Sequence, residues 1–201
     1  MTEIERIMNK EILPKDFLKE ETRCEFFVDE KRKKLWTIGL DLLIEFDRVC
    51  KKHGLKYFLI GGSLLGAIRH NGFIPWDDDI DVGMLRCDYE KFLTLAYEFE
   101  NPYFLQTPYT DEGYYFSFAK LRNSNTAAIS NAFRYENFNQ GVFLDIFPLD
   151  NCKLEDALSR YNKINELIMD NSTYMRKSLK NPTPEEQKRI DSHSGRNPMD
   201  I

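Results

Sequence analysis

The sequence predicts a mixed α/β fold in which amphipathic helices alternate with short apolar strands. Of the 201 residues, 42% are hydrophobic, including fifteen Phe and ten Tyr, which is too much apolar surface for a disordered chain. A long helix is predicted at 31–50, because apolar residues recur there at spacings of three and four. Gly54 is expected to end this helix.

The other elements follow from shorter patterns, and residues 1–28 show no clear period. Apolar or alternating runs predict strands at 55–60, 79–84, 103–106, 114–122, 126–130 and 142–147. Helical spacing or capping signals predict further helices at 63–70, 88–99, 154–169 and 183–190. Ser63 and Asp88 are expected to act as N-caps of the helices that they begin.

Composition excludes several classes of protein. The net charge of −5 argues against binding to a nucleic-acid polymer, which depends on an excess of Lys and Arg. No apolar stretch is long enough to cross a bilayer, and the N-terminus lacks the apolar core of a signal peptide. The four cysteines form no C-x-x-C pair, so we expect buried or half-buried thiols in the cytoplasm.

Gly61, Gly62 and Ser63 lie between a predicted strand and a predicted helix. Glycines let the backbone approach an anion closely, and the free N–H groups of a helix start point toward it. This turn therefore suits a phosphate, although a strand-to-helix turn also uses glycine for steric reasons alone.

Asp79 and Asp81 lie two residues apart on a predicted strand, so both face the same side, while Ile80 and Val82 face the core. Two carboxylates at close range repel each other, and a divalent cation such as Mg²⁺ relieves that repulsion. The neighbouring Asp77 and Asp78 either join such a site or belong to a solvated acidic loop.

Asp145 is a lone acid within an apolar run, which is costly unless something pairs with it. Either it shares a metal with Asp79 and Asp81, or it forms a salt bridge with Lys120 or Arg122. Those two basic residues alternate along one predicted strand, so they either clamp a phosphate or line a solvated edge.

Arg69 closes the predicted helix at 63–70, where it reaches a nucleotide or simply complements the helix dipole. Three acids beside a glycine turn are the arrangement used for two-metal phosphoryl transfer. In that chemistry one ion activates an attacking hydroxyl and the other neutralises the leaving phosphate.

Residues 61–82, GGSLLGAIRHNGFIPWDDDIDV, resemble the signature of the LicD family, a branch of the nucleotidyltransferase-fold superfamily that includes the fukutin-related proteins. Two later runs also match it, KLR at 120–122 with Asn125-Thr126, and GVFLDIFPLD at 141–150. The resemblance covers roughly residues 36–150 and implies a nucleotidyltransferase-like core, a short mixed β-sheet flanked by helices.

The resemblance also implies a site and an activity. Asp79, Asp81 and Asp145 match the family's metal-binding and catalytic carboxylates, which hold Mg²⁺ or Mn²⁺. The residues expected to bind nucleotide or phosphate are Gly61, Gly62, Ser63, Arg69, Lys120 and Arg122. The implied enzyme is a phosphotransferase that moves a phospho-alcohol, such as phosphocholine, from a CDP-linked donor such as CDP-choline and releases CMP. The acceptor is a hydroxyl of a cell-surface glycan or teichoic acid precursor, free or lipid-linked.

Two other functions remain open, namely nucleotidyl transfer to a small molecule and a truncated nucleotide-binding module without turnover. We expect an N-terminal extension at 1–30, a catalytic core at 31–150 and a helical C-terminal segment at 151–201. That last segment is either loose or continued by further chain. The expected location is the cytoplasm, with the inner face of the membrane as a peripheral alternative.

Overall fold

The computed structural model describes residues 1–131, 133–153, 155–163 and 184. The chain divides into two compact units, Met1–Asp150 and Asn151–Ile201. The helices of the first unit are α1 (Glu3–Met8), α2 (Glu30–His53), α3 (Gly61–His70), α4 (Arg86–Leu93) and a 3-10 turn at Ala96–Glu98. Its strands are β1 (Glu21–Arg23), β2 (Phe26–Val28), β3 (Phe58–Leu59), β4 (Asp81–Leu85), β5 (Tyr103–Gln106), β6 (Ala119–Asn123) and β7 (Val142–Leu149).

Five strands form one mixed sheet in the order β3-β4-β7-β6-β5. β4 and β7 run parallel, and the other neighbouring pairs are antiparallel. Helices pack around this short sheet, so the predicted fold class is confirmed. β7 lies at the centre of the sheet, and its Leu144 and Ile146 are fully buried.

The long helix α2 covers the sheet with the apolar stripe that the sequence predicted. Its Leu42, Phe46 and Val49 are fully buried in the core. The Asp29 side chain caps the first turn by accepting a hydrogen bond from the Arg32 backbone N–H. Gly54 ends the helix in the left-handed conformation (φ 65°), as expected from its lack of a β-carbon.

The N-terminal residues have structure that their weak periodicity did not reveal. Helix α1 begins with a capping box at Thr2 and buries Ile7 in the core. β1 and β2 form an antiparallel hairpin of three residues each. Elements this short contain too few repeats for a period to be recognised.

Two predicted N-caps are wrong. Helix α3 begins at Gly61 with Ile60 as N-cap, and the Ser63 hydroxyl accepts a hydrogen bond from the Asp81 backbone instead. Helix α4 begins at Arg86, and the Asp88 carboxylate accepts a hydrogen bond from the Lys56 backbone N–H. The local sequence pattern predicted that each of these side chains caps a helix. In the structure each one instead accepts a hydrogen bond from a backbone N–H that is distant in sequence.

Two predicted strands are also corrected. Residues 114–118 precede β6 rather than belong to it, because their aromatic rings pack together and the Tyr114 hydroxyl bonds the Phe118 carbonyl. Residues 126–130 form no strand; the Thr126 hydroxyl donates to the Asn123 carbonyl and accepts from the Val142 backbone N–H.

Three of the four thiols are exposed, namely Cys24, Cys87 and Cys152, so the expectation of buried thiols holds only for Cys50. In the second unit, residues 155–163 are helical, as predicted for that part of 154–169. The rest of that helix, and the helix at 183–190 apart from residue 184, lie outside the described residues. None of the helices in the described part of the chain combines the length and the hydropathy that crossing a bilayer requires.

Candidate functional site

The glycine turn at the start of α3 lies directly against two carboxylates. Gly61 has a left-handed backbone (φ 54°), and a β-carbon built on it would lie 3.3 Å from Asp81 Oδ2. A β-carbon on Gly62 would lie 2.5 Å from Asp77 Oδ2, a distance that real side chains do not tolerate. Only glycine therefore lets the backbone of this turn approach the acids so closely.

Two hydrogen bonds fix this turn to the first residue of β4. The Ile60 backbone N–H donates to the Asp81 carbonyl at 3.1 Å. The Asp81 backbone N–H donates to Ser63 Oγ at 2.8 Å. Since the Ser63 oxygen acts as acceptor here, its own hydroxyl proton stays available for a ligand.

The central strand β7 brings Asp145 to the same place. Asp81 and Asp145 are register partners in the parallel β4–β7 pair, and the Asp145 backbone N–H donates to the Ile80 carbonyl at 2.9 Å. Asp79 precedes β4 and lies outside the strand in which the sequence placed it. The acids from two neighbouring strands thus meet beside the glycine turn.

Asp145 has a cationic partner on its other side. Its Oδ1 accepts a hydrogen bond from Lys120 Nζ on β6, which is one of the two alternatives that the sequence left open. The Lys120 ammonium also lies 3.7 Å from the centre of the Phe143 ring. Burial raises the pKa of the Asp145 carboxyl and lowers the pKa of Lys120, while their mutual attraction opposes both shifts.

Asp79 and Asp81 have no ion-pair partner among the described residues. Burial raises the pKa of Asp79 to about 6, with the charges of Asp81 and Asp77 adding to the effect. Burial, followed by the charge of Asp145, raises the pKa of Asp81 to about 6 as well. The site therefore concentrates more negative charge than the described side chains neutralise, which is the donor chemistry that fits a hard divalent cation.

The acidic loop before β4 forms a second, overlapping group of oxygens. Carboxylate oxygens of Asp77, Asp78 and Asp79 lie within 4.8 Å of one another. Asp78 is exposed, whereas Asp77 and Asp79 are half-buried. Asp79 also belongs to the Asp79–Asp81–Asp145 set that the sequence predicted, but that set is not among the groups of described residues whose carboxylate oxygens all lie this close together.

Two predicted phosphate ligands are placed elsewhere. Arg122 is buried, where its Nε donates to Gln106 Oε1 at 2.5 Å and its Nη1 donates to the Gly141 carbonyl at 2.6 Å. Arg69 is exposed at the far end of α3, about 12 Å along the helix axis from Gly61. Among the described residues, neither guanidinium forms a hydrogen bond or an ion pair with Asp79, Asp81 or Asp145, although the charge of Arg122 acts to lower the pKa of Asp145.

A cavity of about 730 Å³ borders the site, and no pattern in the sequence indicated it directly. Ser63, Asp77 and Asp79 form part of its wall, and α2 supplies Leu40 and Leu43. The apolar stripe of α2 was visible in the sequence, but the partial exposure of Leu40 and Leu43 toward a cavity was not.

A mixed sheet that joins a glycine-started helix to acids on adjacent strands defines a nucleotidyltransferase-type domain. The chain belongs to the LicD/FKTN/FKRP family, whose nucleotidyltransferase domain matches residues 54–186, more than half of the sequence.

Individual relatives match over shorter segments. The chain is 48% identical over 61 residues to the lipopolysaccharide cholinephosphotransferase LicD of Haemophilus influenzae, which covers 30% of this chain and 23% of that protein. It is 56% identical over 36 residues to the human ribitol 5-phosphate transferase FKRP, 18% of this chain and 7% of the relative. An uncharacterised protein of Rickettsia typhi is 37% identical over 59 residues, 29% of this chain and 19% of the relative. Each of these alignments spans less than a quarter of the relative's length.

Proposed function

We propose that the protein is a divalent-metal-dependent phosphotransferase that moves a phospho-alcohol, such as phosphocholine, from a CDP-linked donor to a hydroxyl acceptor. The acceptor is a cell-surface glycan or teichoic acid precursor, free or lipid-linked, and CMP leaves. The reaction takes place in the cytoplasm or at the inner membrane face, which suits a chain whose four cysteines are all unpaired.

One observation carries this proposal, namely the close approach of the glycine turn to unneutralised carboxylates. Asp81 Oδ2 lies 3.3 Å from the position of a Gly61 β-carbon, while Asp81 itself pairs in register with Asp145. Backbone N–H groups attract a phosphate, and carboxylates attract a metal ion. A site that offers both side by side suits a metal-bound phosphate ester.

Asp79, Asp81 and Asp145 would hold Mg²⁺ or Mn²⁺, and Asp77 is a further oxygen ligand within reach of the same loop. Such an ion neutralises charge on the transferred phosphate and lowers the pKa of a bound hydroxyl.

The chain's own residues supply orientation and proton transfer. The N–H groups at the start of α3 and the free hydroxyl proton of Ser63 orient the donor phosphates. The bond formed joins the acceptor oxygen to the phosphorus distal to the nucleoside, and the bond broken joins that phosphorus to the oxygen of CMP. Asp145 would align the acceptor hydroxyl and take its proton as the new bond forms.

Lys120 serves as the counter-ion of Asp145. It keeps the Asp145 carboxylate in position on the central strand.

The relatives support this class of chemistry by their names. One is a cholinephosphotransferase and the other a ribitol 5-phosphate transferase. Both names describe transfer of a phosphorylated alcohol.

The test is incubation of the purified protein with a panel of CDP-linked alcohols, Mg²⁺ and a glycan acceptor, with CMP measured by chromatography. CMP release that depends on acceptor and stops on chelation of the metal supports the proposal. Release of pyrophosphate from a nucleoside triphosphate would instead indicate nucleotidyl transfer. Binding of CDP-choline in calorimetry without any CMP release would indicate a binding module.

A further inference from the structure

The cavity beside the candidate site follows one face of α3. Ser63, Ala67 and Asn71 all line it, and their spacing of four residues places them on a single ridge of the helix. Eight residues of helix span about 12 Å. The cavity thus begins at the acids, where Ser63 and Asp79 border it, and runs along α3 to its C-terminal end.

Part of the cavity wall is aliphatic. Leu40, Leu43, Leu59 and Ala67 border the cavity, and each is only half-buried although it lies between packed helices and strands. The three leucines also pack against the hydrophobic core, so their exposed surface faces the cavity. A sugar or polyol placed there would lose hydrogen bonds to water without replacing them, whereas a hydrocarbon would bury apolar surface on both sides.

The cavity wall also carries charges that the chain itself neutralises. Lys33 Nζ lies 2.5 Å from Glu21 Oε1, and Arg23 donates to the His70 carbonyl at 2.6 Å. The Lys33 ammonium also lies 5.1 Å from the Phe17 ring and 5.4 Å from the Trp36 ring. The aromatic faces and the acid that would recognise a quaternary ammonium are therefore already engaged by a lysine.

We propose that this cavity binds the aliphatic portion of an amphiphilic acceptor, an alcohol whose hydrocarbon chain lies along α3 and whose hydroxyl lies at the Ser63–Asp79 end. The identification of the ligand as the acceptor rests on the proposed function. The binding of a hydrocarbon chain in the cavity does not depend on it. Residues 17–36 supply part of the wall from outside the matched family domain.

The direct test is titration of the metal-free protein with straight-chain 1-alkanols from butanol to decanol, followed by methyl NMR of ¹³C-labelled leucine. Affinity is expected to rise about fourfold with each added methylene, until the chain exceeds the length of the cavity. The methyl signals of Leu40, Leu43 and Leu59 are expected to shift together. An affinity that does not change with chain length, or shifts confined to other leucines, would overturn the proposal.

A variant that fills the cavity makes the test specific. Ala67→Phe is expected to abolish alkanol binding, while Ala127→Phe, the same change at an exposed position outside the cavity, leaves it intact. Should Ala67→Phe fail to fold, Leu43→Trp fills the same space from α2. Unchanged alkanol binding in the folded cavity variant would contradict the proposal.

An activity measurement separates this inference from the proposed function. With the same CDP-linked donor at a constant concentration, an octyl glycoside acceptor is expected to show a KM at least tenfold below that of the methyl glycoside. In Ala67→Phe the two KM values should converge. Alkanol binding without any CMP release would support the cavity as a hydrocarbon-binding site but refute its assignment to the acceptor. CMP release with equal KM values for both acceptors would refute the cavity's role in acceptor binding and leave the proposed function unaffected.

Discussion

The negative charge of Asp41 is neutralised by neighbouring cations, whereas the charges of Asp79 and Asp81 at the candidate site are not, within the described part of the chain. Asp41 on α2 is fully buried, and its carboxylate accepts hydrogen bonds from Arg6 Nη2 at 2.7 Å, Lys10 Nζ at 2.6 Å and the Tyr103 hydroxyl at 2.8 Å. Asp79 and Asp81 are only half-buried, yet the described residues provide them with no ion pair.

The difference separates an acid whose charge is neutralised within the fold from two acids for which we propose a ligand. Two cations and a hydroxyl around Asp41 join α1, α2 and β5, so its charge stabilises the folded state. The charges of Asp79 and Asp81 repel each other and those of their neighbours, so they cost stability unless a ligand neutralises them. Unmatched charge beside a glycine turn marks the place where a cation is expected.

The largest expected effect is on turnover. Asp81→Asn removes one negative charge from the candidate metal site while keeping the shape of the side chain. CMP release is expected to fall about a thousandfold, because the loss of metal stabilisation of the transition state costs several kcal/mol. The measurement is the rate of CMP release at saturating Mg²⁺. Asp16→Asn, at an exposed position, is the matched control, and a rate for Asp81→Asn near that control would refute the metal assignment.

The next effect is on stability and concerns the opposite group. Asp41→Ala leaves Arg6 and Lys10 without their shared partner. Because both cations retain some access to water, the free energy of unfolding should fall by about 2 to 3 kcal/mol, below the range for a fully buried pair. Urea denaturation measures this change. A loss under about 0.5 kcal/mol would show that the cluster contributes no more than a surface ion pair.

A smaller effect of opposite sign is expected at the candidate site. In the metal-free protein, Asp81→Asn should raise the free energy of unfolding at pH 7.5 by about 1 to 2 kcal/mol, since the folded-state pKa of Asp81 is about 6 and part of the effect is screened by solvent. A folded-state pKa raised above the unfolded value of 3.8 means that the folded state holds its proton more tightly. The wild-type protein therefore loses stability as pH rises from about 4 to about 6.

The control for that prediction is the same comparison at pH 3, where both states are protonated and the two proteins should be equally stable. Saturating Mg²⁺ at pH 7.5 should stabilise the wild type more than the variant. Equal pH profiles for the two proteins would contradict the raised pKa of Asp81.

The smallest effect is expected at Ser63. Ser63→Ala removes the oxygen that accepts the Asp81 backbone N–H, so about 1 kcal/mol of stability should be lost. Ser63→Thr keeps the hydroxyl and should restore most of it. Thermal unfolding distinguishes these variants, and an unchanged midpoint for Ser63→Ala would show that water replaces the hydroxyl.

Several helices and strands, and part of the candidate site, could be predicted from the sequence, because the patterns that indicate them lie within short segments of the chain. The apolar stripe of α2, Gly54 at its end and the strand at 103–106 follow from spacing alone. The glycines at 61 and 62 and the acids at 79 and 81 are separated by fewer than twenty residues. The position of Asp145 beside Asp81 needed the family resemblance, because strand pairing between distant segments has no local signature.

The rest depended on contacts that no pattern within one segment can specify. Nothing near Asp41 in sequence indicates Arg6 and Lys10 as its partners, since they lie 35 and 31 residues away along the chain. Arg122 and Lys120 alternate as predicted, yet Gln106 and Asp145 on the neighbouring strands decide what each side chain binds. The cavity is formed by residues of α2, α3 and the segments around them, so no single segment indicates it.

The parallel pairing of β4 with β7 has a consequence for how the protein acquires its site. A parallel pair cannot be closed by a hairpin, and here α4, β5 and β6 all intervene between Leu85 and Val142. The glycine turn and Asp81 can come together early, but Asp145 arrives only after a large loop has been closed, and the entropy of that closure makes such contacts slow to form. Folding of this chain is therefore expected to produce the anion-binding half of the site before the half that completes it.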